Sequence, residues 1–395
     1  MTKSSVTTLF EDTAVAFRYK SDAAVRKAHL IFSLLNHPWL SALASSAATL
    51  ALKLRLPVET IIRKTVFDVF CGGESIDTTT VVIERLAKYG VHTILDYSVE
   101  GEHTEAGFDH VMGETIRTLE RASKSPHIPF SVFKVTGLGP VDLLGKVHNK
   151  VSLTDDESAT FKRLQHRVHA ICQRAHELNI PVLIDAEETW IQDPIDDLAY
   201  AMMKRYNKTQ AIIFNTFQLY RTKGLASLKD AFHVATKEGF KLGAKIVRGA
   251  YMEKERARAE ELGYDSPIHP HKLATDKDFN EGLEFCVQNI NGIALMCGSH
   301  NEFSNHHLTT LMAEHNIDPA DERIWFAQLY GMSDNISFNL SNKGYRVAKY
   351  VPYGPVRSVM PYLLRRAAEN TSVAGQSSRE LVLIRKELNR RKAER

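Results

Sequence analysis

Residues 210–251 read QAIIFNTFQLYRTKGLASLKDAFHVATKEGFKLGAKIVRGAY. Two apolar runs, QAIIFNTFQ and LGAKIVRGAY, flank a segment from Thr222 to Gly239 patterned as a helix. Runs apolar on both faces read as strands buried on both sides, as in a parallel sheet. The intervening helix is the crossover that a parallel pair needs.

The same unit recurs on both sides of this stretch. From Val91 onward the other runs are VHTILDYS, PFSVFKVTG, IPVLIDAEE, GIALMCGSHN, RIWFAQLYGM and RVAKYVPYG. Helix-patterned segments such as Asp155 to Leu178 lie between most of them. The connection after the seventh run, SDNISFNLSNKG, is short and poor in helix formers. Eight strand–helix units over roughly 280 residues match a (β/α)8 barrel. A doubly wound sheet also alternates, but no run leads into GxGxxG or a P-loop. The expected fold is therefore α/β, a distorted (β/α)8 TIM-like barrel over residues 91–372.

A helical region over residues 1–90 precedes the barrel, built from DAAVRKAHLIFSLLNHP, SALASSAATLALKLRLP, VETIIRKTVFDVF and IDTTTVVIERLAKYG. Pro57, Gly72, Gly73 and Gly90 punctuate it. Residues 373–395 form a basic tail with the pattern of an amphipathic helix. Leu381, Val382, Leu383, Ile384 and Leu388 are the only large apolar residues in SSRELVLIRKELNRRKAER. So few apolar residues suit capping the fold or packing on a partner, with a membrane surface as the alternative.

Composition is that of a soluble globular protein: 44% of the 395 residues are apolar and 25% charged. A net charge of +3 argues against a dedicated nucleic-acid binder. Cys71, Cys172, Cys286 and Cys297 form no CxxC, so neither a disulfide framework nor a structural zinc site is expected. This fits a reducing compartment. No apolar run is long enough to cross a bilayer. The first residues lack a secretory apolar core, and Glu11 and Asp12 sit badly with a transit peptide. The expected place is the cytoplasm, with peripheral association at the inner face of the membrane as a variant. The residues carry no signal for an oligomeric state.

In such barrels chemistry collects where strands lead into helices. The runs end in Asp96; Lys134; Asp185, Glu187 and Glu188; Asn215 and Gln218; Lys245, Arg248 and Tyr251; Ser299, His300 and Asn301; Gln328; and Tyr350. Lys134 and Lys245 lie inside apolar runs, where a buried ammonium needs a partner or a ligand. Asp96 and Asp185 are the candidate partners, and a purely structural ion network is the plain alternative. Beyond the last run, Tyr362, Arg365, Arg366 and Glu369 stand at i, i+3, i+4 and i+7 and share a helix face. Paired arginines grip a carboxylate in a fork, although RRxxE taken alone reads as a solvated ion-pair face.

Three chemistries can be weighed. A metal is not expected, because His92, His269, His271 and His300 do not form a barrel metal set. A Schiff base on Lys134 or Lys245 keeps an aldolase or lyase open. A flavin would find Arg248, Lys245, Gln218 and His300 at the mouth. Thr275 and Asp276 would cap a helix whose N-terminus holds a phosphate. The residues by themselves reach a barrel enzyme for an anionic substrate.

KIVRGAYMEKERARAEELGY, GSHN, QLYGM and KYVPYGPV…PYLLRRAAEN, in this order on the strand ends, together resemble the proline dehydrogenase (proline oxidase) family. The resemblance runs from about Asp96 to Asn370 and is closest to the monofunctional, mitochondrial type. It implies a distorted barrel that binds FAD. It also implies oxidation of L-proline to 1-pyrroline-5-carboxylate, with hydride passing to flavin N5 and electrons going on to a quinone. It implies that Arg365, Arg366 and Lys134 hold the proline carboxylate, and that Tyr350, Tyr362 and Leu329 pack around the ring. Glu369 orients the arginine side, and Asp185 lies near the flavin. Gln218, Arg248 and His300 match FAD contacts, and Tyr251 lies in the same motif as Arg248. Glu100 is implied as a gate pairing with Arg365. Two positions depart from bifunctional members, which often carry arginine at Lys245 and an aromatic residue at Met252. Hydroxyproline is the nearest alternative substrate, with Tyr350 as the position that would decide it.

Overall fold

The computed structural model describes residues 9–36, 59–99, 102–363 and 376–395. Eight strands close a parallel barrel in chain order. They are β1 (Val91–Tyr97), β2 (Phe130–Phe133), β3 (Val182–Ile184), β4 (Ile213–Gln218), β5 (Leu242–Val247), β6 (Ile293–Gly298), β7 (Ile324–Leu329) and β8 (Val347–Tyr353). Every residue of β4 and β8 is buried, which explains why those runs lack an alternating polar face. The α/β barrel expected from the runs is the fold observed.

The chain divides into two compact units, Gly101–Ala327 and Met1–Glu100 with Gln328–Arg395. Within Gly101–Ala327, Phe130 makes edge-to-face contacts with Phe214 at 5.5 Å and Trp325 at 5.3 Å. These rings stand at the starts of β2, β4 and β7 and leave the opposite strand ends to polar residues. The helix Asp155–Leu178 has the bounds its periodicity predicts. Thr154 and Glu157 form a reciprocal capping box at its start, and left-handed Asn179 ends it.

In the other unit, the connection poor in helix formers is nevertheless a helix, Asp334–Asn342. Its first seven residues are buried, so packing overrides weak propensity. The expected helix over VETIIRKTVFDVF breaks into Glu59–Ile62, a π-helical turn Arg63–Phe67, and Asp68–Phe70. Thr65 Oγ1 bonds back to the Ile61 carbonyl at 2.7 Å, the kind of competition that loosens a helical ladder. The run SALASSAATLALKLRLP lies outside the described residues.

The basic tail is a helix, Gln376–Ala393. Leu381, Leu383 and Ile384 pack into one cluster with Val25, Ala28 and Phe32 of the helix Asp22–Leu35. Its cations are tied down as well: Arg391 to Asp22 and Lys386 to Glu11, each at 2.8 Å. The apolar face thus serves the fold. Among the described residues no helix is long and apolar enough to cross a membrane.

Candidate active site

Parallel pairing of β2 with β3 aligns Phe133 with Ile184. The next residues on each chain, Lys134 and Asp185, therefore emerge side by side. Lys134 Nζ lies 2.9 Å from Asp185 Oδ2, and Lys245 Nζ, from β5, lies 2.6 Å from Oδ1. Burial by itself would raise the Asp185 carboxyl, but the two ammonium groups overcome it and hold the group at about 2. One carboxylate thus serves both lysines at the strand ends. The Lys134 side chain keeps 26% of its surface open to solvent, against 9% for Lys245.

Glu187, three residues past β3, accepts from the Thr136 amide at 3.0 Å and from Thr136 Oγ1 at 2.5 Å. Burial pushes its carboxyl up to about 7, against the pull of those two bonds. Gln218, the last residue of β4, donates from Nε2 to the Glu187 carbonyl at 2.7 Å. Arg248 follows β5. Its Nε donates to Asp276 Oδ1 at 2.8 Å, Nη1 to Ser299 Oγ at 3.0 Å and Nη2 to Ser304 Oγ at 2.9 Å. Its guanidinium carbon also lies 4.4 Å from the centre of the Phe279 ring. The guanidinium is thereby fixed in place before any ligand arrives. Gly249 has φ +139°, and a Cβ there would fall 2.4 Å from the Tyr220 ring, so this turn requires glycine.

In the unit that contains β8, Tyr350 is 6% exposed and pairs in register with Ile94 of β1. The Tyr330 amide donates to the Tyr350 carbonyl at 2.8 Å, tying the chain just past β7 to β8. Tyr362 is buried in a cluster with Phe70, Met332 and Val359, and Leu329 packs against that cluster.

A family model described as "Proline dehydrogenase" matches residues 80–379. The chain belongs to the proline dehydrogenase family. "Proline dehydrogenase 1, mitochondrial" of Dictyostelium discoideum is 36% identical over 384 residues, covering 86% of this chain and 67% of that protein. "Carbapenem antibiotics biosynthesis protein CarD" of Pectobacterium carotovorum subsp. carotovorum is 33% identical over 323 residues, covering 82% of this chain and 84% of that protein. The proline utilization A (PutA) structure from Bdellovibrio bacteriovorus, "inactivated by N-propargylglycine", superposes with a TM-score of 0.74 at 19% identity. It covers 94% of this chain, which spans only 41% of that one, and at this identity the likeness speaks for the fold.

Of the residues expected from the proline dehydrogenase resemblance, Lys134, Asp185 and Lys245 meet in one cluster. Asp96, the other candidate partner for the lysines, instead accepts from Ser98 Oγ at 2.9 Å. Tyr251 is not in the strand: β5 ends at Val247, and Tyr251 stands at the N-cap position of the helix Met252–Leu262 without a side-chain capping bond. Met252 is that helix's first residue and is 40% exposed. His300 is half-buried just past β6, beside Asn301, which caps the next helix.

The cap expected from Thr275 and Asp276 is corrected. The helix begins at Lys272 with His271 as its N-cap, so Thr275 lies within the first turn. Lys272, Leu273 and Ala274 are helix formers that carry the helix back toward Pro270. Asp276 instead binds Arg248 and Lys272. Arg365, Arg366, Glu369 and Glu100 lie outside the described residues.

Sequence reasoning passed over a second buried charge cluster: Lys349, Asp334, Glu380 and Lys20. Its signal was present in RVAKYVPYG, where Lys349 interrupts an apolar run as Lys134 and Lys245 interrupt theirs.

Proposed function

We propose that this chain is an FAD-dependent proline dehydrogenase that converts L-proline to 1-pyrroline-5-carboxylate and passes electrons to a quinone. The observation that carries the reading is the Lys134–Asp185–Lys245 cluster at the strand ends of a barrel from this family. The donor set fits an anionic, hydrogen-bonding dinucleotide: two lysines share one carboxylate, and Arg248 is held rigid beside hydroxyl groups. Gln218, Lys245, Arg248, Tyr251, Thr275, His300 and Glu369 would hold FAD. When bound, FAD supplies the hydride acceptor.

The protein's share is position and charge. Lys134, Arg365 and Arg366 hold the substrate carboxylate, and a fixed carboxylate orients the ring carbon next to nitrogen. Tyr350, Tyr362 and Leu329 pack the ring and exclude water. Asp185, held at about 2, stays ionised at neutral pH and orients both lysines. The substrate nitrogen enters uncharged, so that its lone pair assists departure of hydride. Glu100 would gate the site through Arg365. The quinone resides in a membrane, so the proposal includes peripheral approach to one.

The Schiff-base alternative is disfavoured, because both lysines are paired with Asp185 and a Schiff base needs a neutral amine. Hydroxyproline is the rival substrate, and Tyr350 is the position expected to decide it, since a bulky ring there would leave little room for an added hydroxyl. The test is the visible spectrum of the purified protein before and after anaerobic L-proline. A flavin band that bleaches is the expected result. A band that persists with proline but bleaches with hydroxyproline overturns the substrate. Protein that takes up no FAD overturns the cofactor.

A further inference from the structure

Lys349 stands in the middle of β8, fully buried, one residue before Tyr350. Its ammonium reaches the chain that leaves β7. Nζ donates to the Met332 carbonyl and, at 3.4 Å, to the Leu329 carbonyl, and it pairs with Asp334 at 3.0 Å. Asp334 also holds Lys20 Nζ at 2.8 Å and accepts from the Tyr19 hydroxyl at 2.8 Å. Between them Ser333 is left-handed, φ +50° and ψ +44°, a conformation that a residue with a side chain adopts only when its surroundings impose it. The Ser333 amide donates to Glu380, a buried carboxylate on the helix Gln376–Ala393.

The turn from Leu329 to Ser333 is therefore held at two carbonyls by Lys349 and at an amide by Glu380. Stability does not explain this choice. Well-packed apolar residues would serve a core as well as a buried ion network or better. A satisfied polar network does fix one arrangement of the groups it ties together. Here those groups are the turn carrying Leu329 and the strand carrying Tyr350.

We propose that Lys349 and Glu380 are positioning residues that set the places of Leu329 and Tyr350, and through them which ring substituents the site accepts. This rests on the reading above that Leu329 and Tyr350 pack the substrate ring. Neither Lys349 nor Glu380 touches substrate. They act through the turn.

The test compares kcat/KM for L-proline and for trans-4-hydroxy-L-proline in the FAD-loaded full chain, with thermal unfolding measured alongside. Lys349→Met and Glu380→Leu each remove a hold on the turn, and the preference for proline is expected to fall by about fivefold or more. Glu380→Gln keeps an acceptor for the Ser333 amide and is expected to restore the preference. Tyr19→Phe, a mild change that removes one bond to Asp334, is expected to shift the preference in the same direction by less. It carries the test if the first two variants fail to fold.

A merely structural role would lower the unfolding temperature and leave the ratio of the two substrates unchanged. Unchanged ratios in the variants that fold would overturn the proposal. If proline fails to bleach the unsubstituted protein, the proline dehydrogenase reading itself has failed. Bleaching with unchanged ratios sinks only the positioning role.

Discussion

Asp185 is the residue on which the strand-end chemistry turns. Both of its oxygens are committed to ammonium groups, and it is largely buried. Asp185→Ala removes the carboxylate that Lys134 and Lys245 share. A broken buried pair costs about 3 kcal/mol or more, and urea unfolding is expected to show that loss. Lys134 is the more exposed of the two lysines and the one proposed to meet the substrate. Lys134→Met is expected to raise KM for proline by about 10- to 100-fold, the weight of a charge-assisted hydrogen bond, with FAD retained. Steady-state kinetics with a flavin-to-protein absorbance ratio reads both quantities. Lys134 and Asp185 were each legible as a strand-end charge because each follows an apolar run. That Asp185 rather than Asp96 serves both lysines was not legible, because it depends on which strands lie side by side.

At the scale of elements, the turn between β7 and the helix Asp334–Asn342 is tightly constrained. Gly331 has φ +80°, and a Cβ there would fall 2.2 Å from the Val69 carbonyl oxygen. Gly331→Ala meets both the wrong backbone region and a fixed backbone atom. It is expected to cost about 2 kcal/mol or more in chemical unfolding. The helix Asp155–Leu178 offers a milder probe. Thr154→Ala removes half of its capping box and is expected to cost about 1 kcal/mol. The caps and periodicity of that helix are local, so they could be read from the chain. The helix Asp334–Asn342 could not, because it forms through burial of residues with weak propensity.

At the scale of the molecule, burial raises several carboxyl groups among the described residues, Asp196 to about 6 and two glutamates further, and all respond to pH in the same direction. Burial pushes Glu187 and Glu380 each up to about 7 from the ordinary 4.5. A carboxyl with a raised folded value binds its proton more tightly in the native state. Its stabilising contribution is present below about 4.5 and is lost as pH rises through about 7. Asp185 and Asp334, each held at about 2, act oppositely. Their contribution is present above about 3.8 and is lost as pH falls through about 2. The urea midpoint is expected to decline between about pH 5 and about pH 8, and Glu380→Gln to remove part of that slope. An undiminished midpoint over this range would count against both burials.

The sequence by itself determined the barrel, its eight strands and the polar character of their ends. These follow from local periodicity: runs apolar on both faces, spaced by helices, admit few other arrangements. The order of the family motifs determined the family in the same way, since each motif is a short contiguous stretch. Tertiary structure alone decided which charges meet. Asp185 takes both lysines because β3 emerges beside β2, with β5 reaching the same carboxylate. Lys349 meets Asp334, Lys20 and Glu380 because a strand, an N-terminal segment and the last helix converge there. Such pairings join residues up to hundreds of positions apart, and no local pattern encodes the register that brings them together.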